Sequence, residues 1–112
     1  MGAILIVESS GFLCRLLGAS LKKEDMAHEG ARSFQVAVDS IQRKTPSCIV
    51  LDLDLPGKLD IEKACRLIKK VPRCCEVPIV LLCSSTVGTE DTLRRTGAQH
   101  YFKKPISPLL FI

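Results

Sequence analysis

Apolar and polar positions follow two different periods along this chain, and their alternation predicts a regular series of strands and helices. Short continuous apolar runs rich in Ile, Val and Leu are typical of strands buried on both faces of a parallel sheet. Between them, apolar residues recur every three or four positions, as in amphipathic helices. The predicted strands are 3–7, 26–31, 48–51, 77–83 and 100–102. The predicted helices begin near Ser10, Ser33, Asp60, Thr89 and Ser107.

Residues at the boundaries support these elements. Ser33 and Asp60 are of the types that cap helix N-termini, and Ser107 is followed by Pro108, which suits the first helical position. Gly97 is suited to end the helix that starts near Thr89. Strands that alternate with helices through short connections predict an α/β fold with a doubly wound parallel sheet. At this length a flavodoxin-like sheet of five strands in the order 2-1-3-4-5 is the simplest choice.

Composition limits the classes of protein that need to be considered. The chain has 112 residues, of which 46% are hydrophobic and 25% charged, as expected for one globular domain over 1–112. The net charge of +4 comes from scattered basic doublets without interleaved aromatics, so a nucleic-acid partner is not expected. No apolar run approaches the roughly 18 residues that span a bilayer, and no membrane partner is expected. The N-terminus lacks the features of a signal peptide, which favours a cytoplasmic location.

Six cysteines are present, but their spacing does not favour a zinc site or disulfides. There is no C-x-x-C pair, and most of the cysteines fall in apolar strands or on helix faces, where free Cys behaves as a small hydrophobe. The adjacent Cys74 and Cys75 are the only pair worth testing for redox behaviour.

Polar residues follow the predicted strands where each strand ends. Asp52 directly follows the apolar run 48–51, and Pro56-Gly57 then forms a turn. Chemistry in open parallel sheets takes place just beyond the carboxyl ends of the strands. Asp52 is therefore placed where a carboxylate can act. The other strand ends that carry polar side chains are Glu8-Ser9, Cys83-Ser84 and Lys103-Lys104.

Taken together, these strand ends make the chain similar to the receiver domain of two-component response regulators, over nearly its whole length. The resemblance depends on an acid after the first strand, D-x-D-x-P-G from Asp52, V-P-I-V-L-L from Val77, and G-A-x-x-Y-x-x-K-P from Gly97 to Pro105. It implies a phosphoprotein of two-component signalling, without an output domain in these residues. A sensor histidine kinase and a downstream protein would be its partners, and it would not be an enzyme.

The resemblance also implies a role for each matching residue. Asp52 would be the phosphoacceptor that forms 4-aspartylphosphate, and Lys104 would contact the phosphoryl group. Mg²⁺ would be held by Glu8, by Asp52 and by the backbone carbonyl of Asp54, because a carboxylate and a phosphoryl group repel until their charge is neutralised. Tyr101 matches the aromatic switch residue of the family, although packing against the sheet would explain it equally well.

Two positions depart from the family pattern. Ser9 stands where the family usually has a second acid, and its hydroxyl should weaken Mg²⁺ binding because hard cations prefer carboxylate oxygens. Cys83 stands where the family has Ser or Thr, and a thiol is a poor hydrogen-bond donor to a phosphoryl group. Ser84 could take that role if the loop shifts by one residue, and both assignments stay open.

Two alternatives follow from the same residues. The departures allow a pseudo-receiver, in which the fold serves as a binding module and phosphorylation is lost. The pair Asp52 and Asp54 also matches the D-x-D motif of haloacid-dehalogenase-type phosphatases. Those enzymes normally place the motif near the N-terminus and need more chain after it, so this class fits less well.

The end of the chain leads to a further expectation. Receiver domains normally end with a full fifth helix, whereas only 107–112 remain here, which predicts a missing or truncated last helix and an uncovered apolar sheet face. Exposed apolar area is costly at about 25 cal/mol per Å². We therefore expect self-association through that face, with the segment 109–112 packed on a neighbouring copy.

Overall fold

A computed structural model describes residues 2–53, 60–83 and 89–103 of the chain. Its strands are β1 (Ile4–Val7), β2 (His28–Ala31), β3 (Cys48–Asp52), β4 (Ile79–Cys83) and β5 (His100–Lys103). Its helices are α1 (Gly11–Lys23), α2 (Phe34–Arg43), α3 (Ile61–Lys70) and α4 (Thr89–Thr96), with a short 3₁₀ helix at Pro72–Cys74. The predicted helix after Ser107 lies outside the described residues.

The five strands form one parallel sheet in the order β2-β1-β3-β4-β5. This order confirms the predicted flavodoxin-like fold. It places β1 and β3 side by side in the centre, where the strand order reverses. Such a reversal leaves a crevice at the carboxyl ends of the strands, and this is the usual place for a site in an open α/β sheet.

Alternation along the strands divides the core into two layers, because successive side chains point to opposite faces. One layer joins the sheet to α2 and α3 through Leu5, Leu51 and Ile68, among other residues. The other joins it to α1 through Ile6, Val50 and Leu17. The central strands are apolar on both faces, which is why they form continuous hydrophobic runs in the sequence.

Capping side chains define the starts of three helices. Ser10, Ser33 and Asp60 each accept a hydrogen bond from the backbone N–H three residues later, at 3.2 Å. Gly97, with a φ of +75°, follows α4 and donates its N–H to the carbonyl of Leu93. The predicted caps Ser33 and Asp60 and the predicted stop at Gly97 are confirmed.

Three apolar residues that follow the helical spacing of α1 and α3 are exposed: Phe12, Leu16 and Leu67. Phe12 is 69% exposed, because the buried stripe of α1 runs through Leu17 and Leu21 and Phe12 is rotated away from it. Leu67 is 46% exposed, because α3 instead directs Ala64, Cys65 and Ile68 into the core. The adjacent Cys74 and Cys75 differ in burial, because the 3₁₀ helix buries Cys74 and leaves Cys75 exposed.

On the α1 side of the sheet, an apolar groove of about 320 Å³ lies over the amino ends of the strands. Its lining includes Ile4, Leu21, Val80 and Phe102. Within the described ranges, no helix is long and apolar enough to cross a membrane.

Candidate functional site

Glu8 and Asp52 lie side by side at the carboxyl ends of the two central strands. Val7 pairs with Leu51 in the parallel register, so the next residue of each chain segment is Glu8 on one side and Asp52 on the other. Neighbouring strands are about 4.8 Å apart. The exposed fraction is 1% for Glu8 and 0% for Asp52. The fold thus brings together two acids that are 44 positions apart and buries both of them.

The backbone around Glu8 is held by several hydrogen bonds. Its N–H donates to the carbonyl of Ala31 at 3.0 Å, which continues the β1–β2 pairing by one residue. Its Oε1 accepts from the N–H of Ser10 at 3.1 Å, and Ser10 in turn caps α1. The connection between β1 and α1 therefore fixes the carboxylate of Glu8 at the strand end.

Cys14 of α1 faces the same acidic pair. Its Sγ donates to the carbonyl of Glu8 at 3.2 Å. Burial raises the pKa of the Cys14 thiol, the negative charges of Glu8 and Asp52 raise it further, and the charge of Arg32 opposes them. Cys14 thus remains a neutral thiol at physiological pH. Sequence analysis missed this residue, and its only signal was its position in α1, six residues after Glu8.

Ser9, the residue after Glu8, is half-buried. Its carbonyl accepts a hydrogen bond of 2.9 Å from Nε of Arg32, which follows β2 and is 23 positions away. Arg32 therefore ties the first strand end to the second. No pattern in the sequence pointed to this link, because it depends on the pairing of β1 with β2.

Cys83 and Tyr101 lie on the other side of Asp52. Leu82 pairs with Asp52, so the half-buried Cys83 is one residue further along β4. Tyr101 pairs with Leu81 and packs, half-buried, against the core layer that α2 and α3 cover. This contact accounts for Tyr101 as a packing residue. Its role as a switch stays a prediction.

Three predicted site residues fall outside the described ranges: Asp54, Ser84 and Lys104. The described ranges therefore include Asp52, the predicted phosphoacceptor, and Glu8, the predicted metal ligand beside it. They also include Ser9, where a second acid was expected, and Cys83, where a hydroxyl was expected. They do not include the carbonyl or the lysine that would complete the site.

The donor chemistry of Glu8 and Asp52 fits a magnesium ion. Mg²⁺ prefers oxygen ligands, keeps several waters, and is usually held by one or two carboxylates. Two buried carboxylates on adjacent strands supply that set, and the cation would offset their mutual repulsion. Among residues 2–53, 60–83 and 89–103, no group of three or more His, Cys, Asp or Glu side chains forms a metal site. Within these ranges, Glu8 and Asp52 are the side chains that would hold the expected ion.

A family model, curated relatives and solved structures match this chain. The sequence model of one protein family, the response regulator receiver domain, matches residues 4–111. The transcriptional regulatory protein SrrA of Staphylococcus aureus is 33% identical over 109 residues, which cover 94% of this chain and 42% of SrrA. The chain spans less than half the length of the curated relatives that it matches.

Solved structures show the same fold. The chemotaxis protein CheY4 of Vibrio cholerae superposes with a TM-score of 0.90 at 19% identity, covering 99% of this chain and 92% of that one. The receiver domain of the sensor histidine kinase PA1611 of Pseudomonas aeruginosa superposes with a TM-score of 0.84 at 26% identity, with the same two coverages of 99% and 92%. That structure holds a magnesium ion coordinated in its active site cleft.

Proposed function

The chain belongs to the response regulator receiver domain family, and we propose that Asp52 accepts a phosphoryl group from a sensor histidine kinase. The observation that carries the proposal is the burial of Asp52 beside Glu8 at the carboxyl ends of β3 and β1. A carboxylate oxygen of Asp52 would attack phosphorus while the bond from phosphorus to the donor breaks and the donor leaves with its electron pair. Water would later hydrolyse the acyl phosphate. The domain acts as a signalling module and not as a turnover enzyme.

Mg²⁺, when bound, would neutralise charge on the phosphoryl oxygens. Glu8 and Asp52 would hold it, with the carbonyl of Asp54 as the third expected ligand. Glu8 is fixed for this role by the N–H of Ser10. Ser9 offers a hydroxyl where a second carboxylate would strengthen the site, so we expect weak metal binding.

The response to phosphorylation would start at the end of β4. Cys83, half-buried and one residue beyond the partner of Asp52, would contact the phosphoryl group through its thiol or leave that task to Ser84. Lys104 would supply a positive charge to the same oxygens. Tyr101 would then report the state of the site to a downstream protein by changing its packing on the sheet.

Incubation with acetyl phosphate and Mg²⁺, followed by mass spectrometry of the intact protein, tests this proposal. We expect a mass increase of one phosphoryl group, absent in Asp52→Asn. The matched control is Asp39→Asn, the same substitution on α2, outside the site, which should still be modified. An unmodified wild-type chain would instead support a pseudo-receiver, which the substitutions at Ser9 and Cys83 allow. Steady release of phosphate from a phosphomonoester would support the phosphatase alternative, which the family match does not favour.

Association between copies stays a prediction. The apolar groove lined by Ile4, Val80 and Phe102 is the surface through which it would take place. Sedimentation at increasing protein concentration would detect the dimer, and a single monomeric species throughout would contradict it. A cytoplasmic location likewise stays a prediction.

A further inference from the structure

Two arginine side chains converge over the first turn of α1. A Cβ built on Gly11 would lie 3.1 Å from Nη1 of Arg32 and 3.2 Å from Nη1 of Arg15. Both guanidinium groups therefore occupy the space above the backbone of Gly11, although one belongs to α1 and the other follows β2. We call Arg15 and Arg32 the arginine pair.

One member of the arginine pair is held in place by the fold. Nε of Arg32 donates to the carbonyl of Ser9 at 2.9 Å. Because the guanidinium is planar and its donors form a fixed fork, this bond also sets the direction of the two Nη atoms. Nη1 lies next to Gly11, on the side where Arg15 approaches. The group is thus positioned before any ligand binds.

Neither member of the arginine pair forms an ion pair with an acid of the described residues. In those ranges, the only ion pairs join Asp91 to Arg94 and Arg95 on α4. The first turn of α1 contains no acidic residue. Two like charges at such close range repel each other, and the repulsion is relieved when an anion binds between them.

A basic groove continues from the arginine pair along α1 and β2. It has a volume of about 340 Å³, its cationic side chains are Arg15 and Lys22, and His28 adds an imidazole ring. Gly30 leaves its floor open, whereas the ring of His28 fills the space above Gly18, where a Cβ would be 2.7 Å from Nε2. No carboxylate is among the described residues that line the groove. An anion that enters the groove therefore meets basic side chains and no acid.

We propose that the arginine pair forms a binding site for a phosphate-type dianion, beside the acidic site and separate from it. Two guanidinium groups match the charge of a dianion, whereas one would be enough for a carboxylate. Guanidinium also binds phosphate oxygens through two parallel hydrogen bonds. The site does not require Asp52 to be phosphorylated, so it can be tested without Mg²⁺ or a phosphodonor.

The test is a titration with inorganic phosphate at slightly alkaline pH, followed in ¹H–¹⁵N spectra at constant ionic strength and without Mg²⁺. We expect saturable shifts centred on the amides of Gly11 and Phe12 and on the side-chain Nε of Arg32. Arg15→Gln should weaken binding at least about tenfold, since it removes one of two charges in contact with the ligand. The matched control Arg66→Gln, an exposed arginine of α3, should leave the affinity unchanged.

Three outcomes would overturn the proposal. Shifts that grow without saturation would show only screening, and equal effects of Arg15→Gln and Arg66→Gln would show only net charge. Acetate binding as tightly as phosphate at equal ionic strength would exclude a dianion site. The spectrum of each variant also shows whether it is folded, so a loss of binding cannot be confused with unfolding.

Discussion

Replacing Glu8 by Gln should make the metal-free protein more stable, although it removes a group of the proposed functional site. Glu8 and Asp52 are buried on adjacent strands. With two unit charges about 5 Å apart and an effective dielectric constant of about 20, their repulsion is about 3 kcal/mol. The Glu8→Gln side chain would keep the oxygen that accepts from the N–H of Ser10 but would place an amide NH₂ in a buried site.

We therefore expect a net rise of about 1 kcal/mol in the free energy of unfolding for Glu8→Gln, which is about 4 °C in Tm. Urea unfolding in EDTA, followed by circular dichroism, measures it. The matched control is Glu76→Gln, the same substitution at an exposed position after the 3₁₀ helix, which should change stability by less than about 0.5 kcal/mol.

Adding Mg²⁺ should make the wild-type protein more stable than Glu8→Gln, which reverses the order expected in EDTA. At a concentration ten times its Kd, the ion stabilises the wild-type protein by about 1.4 kcal/mol, because it binds the folded state alone. Glu8→Gln should lose most of that gain, while Glu76→Gln keeps it. If Glu8→Gln were no more stable than Glu76→Gln in EDTA, the inference that the buried acids repel each other would be refuted. If Mg²⁺ stabilised Glu8→Gln as much as the wild type, Glu8 would not be a ligand.

Three further predictions concern the metal site, the core and the end of α4. Ser9→Asp should lower the Kd for Mg²⁺, measured as the shift of Tm on titration, since it restores a carboxylate ligand; an unchanged Kd would show that position 9 does not face the ion. Burial raises the pKa of the Cys65 thiol from 9.0 to about 11, so the unfolded chain loses this proton first and stability should fall from pH 9 to about 11. Cys65→Ala should make that slope shallower in urea unfolding at each pH, and an unaltered slope would contradict the assignment. Gly97→Ala should lower stability by about 1–2 kcal/mol in thermal melts because φ is +75° there, whereas Gly30→Ala, with open space around the new Cβ, should not.

Much of the fold could be predicted because its signals are local. Apolar runs predicted β1, β3 and β4, and weaker patterns predicted β2 and β5. Capping residues such as Ser33 and Asp60 marked helix starts within a residue. These signals involve a residue and its neighbours within one turn or one strand. Boundaries were less accurate where pairing decides them: β2 begins at His28 and β4 at Ile79, each two residues later than the apolar pattern predicted.

Helix rotation was harder to predict. Phe12 and Leu67 fit a helical apolar pattern, yet both are exposed. The reason is that an apolar stripe can be wider than the surface available to it, and contact with the sheet selects which part is buried. The sequence could not show the choice between Phe12 and Leu17, because it depends on how α1 lies against β1 and β3.

By itself, the sequence determined the order of strands and helices and the polar residues that end each strand, including Glu8 and Asp52. Only the tertiary structure decided that these two acids are buried together, that Cys14 faces them, and that Arg32 bridges to Ser9 and meets Arg15 above Gly11. The physical reason is distance along the chain. Periodicity and capping act over a few residues, whereas these contacts join segments that only the register of a parallel sheet brings together.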